Sequence, residues 1–171
     1  MTEPAPNDPV HESRLALALR ELLMRQRVAA LGTLGLDGLP FVSMVPFAVT
    51  PQLGLLVLHV SGLAAHTGNL QRQALCSLMV MQAEEAGQPV HALPRITLAT
   101  RAQTLDDGHA CYTACRQAYL SRFPEAEPMT TLPDFRFVAL QVLGARQVTG
   151  FGAARTVQAE ELQRALGAHA S

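Results

Sequence analysis

Lysine is absent from this 171-residue sequence, so every one of its basic side chains apart from histidine is an arginine. A phosphate loop of the GxxxxGK type is therefore excluded, because its lysine must reach the nucleotide phosphates. The GxSxG elbow of serine hydrolases and the GxGxxG turn of dinucleotide folds are missing as well. Charge is scarce: 16% of residues are charged and the formal net charge is −1. A protein built to coat nucleic acid would carry a basic patch or stripe instead, so no nucleic-acid partner is expected. Apolar runs such as Leu53 to Val60 fall far short of the ~20 residues that cross a bilayer. The segment from Met1 to Asp8 is polar and proline-bearing, without the basic-then-apolar order of a signal peptide. It reads as a flexible tail on a cytoplasmic protein with no membrane partner. Cysteine is sparse too. Cys76, Cys111 and Cys115 are odd in number and irregularly spaced, as suits a reducing compartment. Cys111 and Cys115 share a helix face near His109, yet no second Cys/His pair completes the four ligands of a zinc site, and no metal centre is expected.

What is present is apolar: 49% of residues are hydrophobic. A chain of this length reads as one globular domain over residues 1–171, able to hold a core without disulfides or metal. Asp8-Pro9 followed by Val10 to Arg27 carries a helix cap and an apolar stripe at Leu15, Leu19, Leu22 and Leu23. The period then changes. Val28 to Leu34 and Phe41 to Thr50 read as strands about an Asp37-Gly38 hairpin turn, and Leu55 to Val60 as a third. A short helical segment precedes Ala74, and Leu75 to Gln82 and Ile96 to Leu105 return as strands. Asp106-Asp107-Gly108 can cap a helix from about His109 to Arg122. A last pair of strands, Phe135 to Val142 and Ala145 to Thr149, leads to a terminal helix from Glu160 to Leu166. About seven short strands in hairpin order suit a mainly β fold with peripheral helices: a closed or nearly closed antiparallel barrel. Side chains fill such a small barrel, so a ligand must sit outside it or at a subunit interface.

The clearest candidate for chemistry is the strand-to-helix loop from Ser61 to Leu70. It brings Ser61, His66, Thr67 and Asn69 to a helix start, whose free N–H groups bind phosphate or carboxylate. The same pattern also describes an ordinary cap, with Ser61 or Thr67 as the capping hydroxyl. In Ser43-Met44-Val45-Pro46, the proline marks either a strand edge or a bulge that would open backbone groups to a ligand ring. Arg95, after Pro94, can reach a phosphate or simply be a solvated strand-end arginine. Gly150-Phe151-Gly152 reads as a tight turn.

In this order and spacing, Arg27 to Leu34, Asp37 to Phe47, Ser61 to Leu70, Pro94 to Leu98, Asp134-Phe135 and Gly150 to Ala154 resemble a known family. It is the FMN-binding split barrel of the pyridoxamine 5'-phosphate oxidase superfamily, in the branch associated with haem iron utilisation. The resemblance implies a split barrel of six or seven mostly antiparallel strands. It also implies a homodimer with FMN in two clefts at the interface, acting as an oxidoreductase on a small molecule. Ser43, Met44, Val45 and Pro46 would then line the isoalloxazine, Ser61, His66, Thr67 and Asn69 would receive the phosphate and ribityl groups, and Arg95 would lie near the flavin. No residue is assigned a catalytic role. Three positions depart from the pattern: Gly62 replaces a second serine, and Gly68 and Ala153 replace arginines. Two alternatives follow, a non-catalytic dimer with weak or lost flavin binding, and a haem-handling protein with His59, His66 or His91 as axial ligand. The C-terminal domain of larger haem-utilisation members has no evident equivalent, so a short form is expected.

Overall fold

A computed structural model describes residues 14–150 and 152–167. Helix α1 (Arg14–Arg25) buries Ala16, Leu19, Leu22 and Leu23, the spacing of one helical face. The expected Asp8-Pro9 cap lies outside the described residues. Strands β1 (Val28–Leu34) and β2 (Pro40–Pro46) pair in continuous antiparallel register from Val28↔Pro46 to Leu34↔Pro40. Their turn uses Gly38 at φ +75°, and the Asp37 carboxylate accepts the Leu39 N–H at 3.0 Å. There follow β3 (Ala48–Thr50), β4 (Leu55–Ser61), α2 (Ala65–Arg72), β5 (Leu75–Met81), β6 (Arg95–Leu105), α3 (Tyr112–Arg122), β7 (Phe135–Val148), β8 (Ala154–Val157) and α4 (Ala159–Leu166).

The strands form one antiparallel sheet in the order β2-β1-β5-β6-β7-β4-β3, with β8 paired to β7. Its two ends are the halves of a single chain segment. Residues 40–46 pair with β1 and residues 48–50 pair with β4, so the sheet curls until one segment closes it. The break falls at Phe47, whose ring is fully buried and whose N–H donates to the Arg27 carbonyl at 3.2 Å. The fold is the expected split barrel, mainly β with peripheral helices.

Alternation along each strand sends one set of side chains inward. Leu31, Leu56, Leu58, Leu78, Ile96, Leu98 and Leu140 fill the barrel and meet Leu19 and Leu23 of α1 and Leu162 and Leu166 of α4. Truncating any of these buried leucines to alanine costs about 2–5 kcal/mol. A second apolar cluster lies outside, where Val57, Phe137 and Ala139 pack under Cys115, Tyr119 and Phe123 of α3 and its flank. β4 is thus buried on both faces.

Several boundaries differ from expectation for local reasons. The two strands expected around Gly144 are one, because the ladder absorbs Leu143 as an extra residue: Ala99 pairs with Gly144 and Thr100 with Val142. Conversely, the single strand expected from Phe41 to Thr50 divides at Phe47. β8 was not anticipated. Helix α3 starts at Tyr112 rather than His109, and Cys111 at its N-cap makes no side-chain cap bond. Among the described residues, no helix is long and apolar enough to cross a membrane.

Candidate functional site

The loop that leaves β4 is held by its own polar side chains. Ser61 Oγ donates to Asp134 Oδ2 at 2.6 Å and accepts the Leu63 N–H at 3.1 Å, while the Gly62 N–H donates to the Asp134 carbonyl at 2.6 Å. Thr67 Oγ1 donates to the Ser61 carbonyl at 2.6 Å. Asn69 donates from Nδ2 to Thr33 Oγ1 at 3.0 Å, and its Oδ1 accepts from Arg72 at 2.6 Å. Thr67 and Asn69 are buried, and their side chains are paired as buried polar groups must be. Neither Ser61 nor Thr67 caps α2: Ala64 stands at the N-cap without a side-chain bond. The side chains expected to meet a phosphate are therefore engaged with the protein itself, and Asp134 sets a carboxylate beside them.

Ser43 and His66 meet across β2 and α2, with Ser43 Oγ 3.0 Å from His66 Nδ1. Burial lowers the His66 pKa, which keeps the ring neutral at physiological pH. A neutral imidazole with one nitrogen fixed presents the other to a metal or a proton. The segment 43–46 does not line one surface, however. Val45 points into the barrel, whereas Met44 and Pro46 are exposed outside. Pro46 marks an edge, since β2 ends the ladder order and pairs without a bulge.

Arg95 stands apart from this loop. Its NH1 donates to the Leu93 carbonyl at 3.1 Å, and it shares a groove of about 320 Å³ with His91, Gly150 and residues 152–154. Gly152 there lies at φ +73°.

Arg72 was missed by sequence reasoning. It lies four residues beyond Gly68 on α2, hence on the same helix face, with its side chain leaning toward the helix N-terminus. A Cβ at Gly68 would sit 3.4 Å from Arg72 NH1, so a guanidinium covers the spot where the family arginine would start. An open groove of about 600 Å³ joins Gly68, Asn69 and Arg72 to the 35–41 turn. Gly62 is different, since a Cβ there would stand 3.1 Å from the Asp134 carbonyl oxygen. Thr33 and Asp134 were also missed as partners of the loop. Thr33 gave a signal, being polar at the inward parity shared by Ala29 and Leu31.

Outside the barrel, small residues run in register across four strands: Gly32 pairs with Ser77, Ser77 with Ala99, and Ala99 with Gly144, while Val42 of β2 stands opposite Gly32. Val42, Met44, Leu34, Met79 and Leu143 stand exposed around this trough, Met44 at 64%. Arg95, Arg101 and Arg146 occupy the same outward parity on β6 and β7. His59 instead faces α3, packed against Tyr119, Phe135 and Phe137. Its Nδ1 is buried without a hydrogen-bond partner, and burial lowers its pKa. No group of three metal-ligating side chains occurs among the described residues.

Comparison with known proteins supports the fold and orients the function. The chain is 28% identical over 152 residues to the Vibrio cholerae protein "Heme oxygenase HutZ", covering 88% of this chain and 85% of the relative. A heme binding protein from Mycobacterium smegmatis superposes with a TM-score of 0.79 at 28% identity, over 91% of this chain but only 62% of the other. A Clostridium acetobutylicum protein of the pyridoxinephosphate oxidase family shares the fold alone, at a TM-score of 0.65 and 12% identity. With residues 10–163 matched by the model of the CREG β-barrel family, the chain belongs to that family.

Proposed function

We propose that the protein is a split-barrel homodimer that binds haem. The observation that carries this reading is the outer trough, a band of small residues bordered by exposed Val42, Met44, Met79 and Leu143, with Arg95, Arg101 and Arg146 on the same face. Haem is a broad apolar plate with two carboxylates, which such a surface and its guanidinium forks complement. An exposed apolar face of this extent also suits burial against a second copy. His66, held by Ser43 on the inward parity of β2, does not line this trough. Bound haem would supply redox and ligand chemistry; the protein orients it and sets its surroundings. The names of the 28%-identical relatives, which carry haem binding or haem oxygenase, support the same choice.

FMN fits less well. A phosphate carries about −1.5 to −2 charge at neutral pH, and here it would meet Asp134 and a loop whose hydroxyls and amide are already bonded. One observation favours a flavin-dependent oxidoreductase as second reading: Arg72 over Gly68 places a cation in an open groove.

Titration of the purified protein with haemin and with FMN, followed by absorbance and light scattering, separates the two. A saturable Soret shift in a dimer, lost together with the dimer in Met44→Glu, is expected. Micromolar FMN uptake without haemin binding would refute the haem reading.

A further inference from the structure

The outer trough encloses a groove of about 520 Å³, a size that suits a compact organic ligand. We propose that it reads the two carboxylates of a tetrapyrrole and not the central metal, so that a metal-free porphyrin is held as firmly as haem, with Arg101 and Arg146 as the reading pair. This inference rests on the haem reading and narrows it.

Proteins hold haem iron with histidine, a cysteine thiolate, methionine or tyrosine. Among the described residues, no histidine or tyrosine lines the groove. His59 packs against Phe137 under α3, His66 is held at Ser43, His91 shares the separate groove of Arg95, and His109 bonds Gln103. His11 and His169 lie outside the described residues. Cys76 does line the groove, but as a thiol: its Sγ lies 3.1 Å from Thr100 Oγ1, and burial pushes its pKa up. Met44 and Met79 stand in register on either side of Ala30, at the rim rather than in the lining. The floor thus offers iron nothing stronger than a protonated thiol.

Carboxylates, by contrast, meet cations without competition. None of the strands β1 to β8 contains an aspartate or glutamate. Arg101 pairs with Leu75 and Gln141, and Arg146 with Thr97. Each is one outward step from the Ala99–Gly144 pair on the trough floor, so the two stand roughly 13 Å apart along the strands with only small residues between them. Both are exposed, and among the described residues neither has an ion-pair or hydrogen-bond partner. Arg95 differs, being tied through NH1 to the Leu93 carbonyl. Two free planar forks flanking a flat floor of small residues suit a flat ring with two carboxylates, each of which a guanidinium can take bidentately.

The test is titration of the full chain with haemin and with metal-free protoporphyrin, followed by Soret absorbance and by porphyrin fluorescence. The two dissociation constants should agree within about threefold. Protoporphyrin dimethyl ester, which keeps the ring and masks the carboxylates, should bind more weakly by about tenfold or more. Arg101→Gln combined with Arg146→Gln alters two exposed positions and should weaken both free acids by about tenfold or more, and by the same factor, with no loss for the ester. The proposal is overturned if haemin binds more than about tenfold tighter than the metal-free ring, which would place a protein ligand on the iron and leave the haem reading standing. It is overturned equally if the ester binds as well as the acid, or if the double variant keeps full affinity for both acids. Failure of haemin and the metal-free acid alike would refute the haem reading itself, and this inference with it.

Discussion

Glu161→Gln should destabilise the protein by about 2 kcal/mol. Arg155 of β8 donates NH1 to Glu161 Oε2 at 2.7 Å and NH2 to Oε1 at 2.6 Å, a two-pronged pair on α4. Its Nε and NH2 also reach Gln147 Oε1 on β7, and Gln147 Nε2 donates to the Leu15 carbonyl of α1. Four elements are thereby tied through one guanidinium. Removing a partner from a fully buried pair costs about 3–5 kcal/mol, and from an exposed pair about 0–1. The side chains here are 26% and 15% exposed, which places the cost between those limits, near about 2 kcal/mol. For a chain of this size that corresponds to a fall of about 4–8 °C in Tm. The pH dependence fixes the cause. The Arg155 hydrogen bonds hold the Glu161 carboxyl below its ordinary range, against the opposing pull of desolvation. A depressed carboxyl pKa gives stability that is complete above the unfolded value of about 4.3 and is lost as pH falls through the folded one. Arg155 stays charged throughout, its pKa being raised further by the same bonds. Urea unfolding of wild type and variant should show a full gap at neutral pH that closes on acidification. A gap under about 0.5 kcal/mol at neutral pH, typical of a surface site, or one that widens in acid, would refute the reasoning.

Two further outcomes are expected. Arg72→Ala should leave haemin affinity unchanged and reduce any FMN uptake by about tenfold, measured by flavin fluorescence quenching; equal uptake removes Arg72 from the flavin reading. Gly167→Ala should cost about 1–2 kcal/mol in urea unfolding, since Gly167 ends α4 at φ +88° and a Cβ would stand 2.9 Å from Pro51 Cβ; an unchanged midpoint would show that the cap relaxes freely.

The strands of the barrel were legible because their signals are local. Val28 to Leu34 alternates, Asp37-Gly38 demands a hairpin, and Ile96 to Leu105 alternates again. What escaped depends on partners distant in sequence. Gly144 looks like an end, yet β6 carries the ladder past it by a bulge. Four residues of β8 hold as a strand because β7 offers an edge, not because of their own propensity. The site divides in the same way. Ser61, His66, Thr67 and Asn69 were found as a cluster, but whether their polar groups face a ligand or the protein is decided by Thr33 and Asp134, 36 and 73 residues away from Asn69 and Ser61. Spacing along the chain carries no record of such pairings, and for the same reason the Ser43 bond to His66 emerges only in three dimensions.

The segment from Pro40 to Thr50 closes the barrel by joining its first half to β1 and its second to β4. Within it, odd and even positions serve different masters. Val45 secures the interior and Ser43 holds His66, while Val42 and Met44 furnish the exterior face. A shift of register by one residue would exchange the two sets, sending methionine inward and the histidine's anchor out. Closure of the ring and the identity of the outer surface are thus one specification, so variants chosen for altered binding at Val42 or Met44 should be screened first for whether the ring still closes.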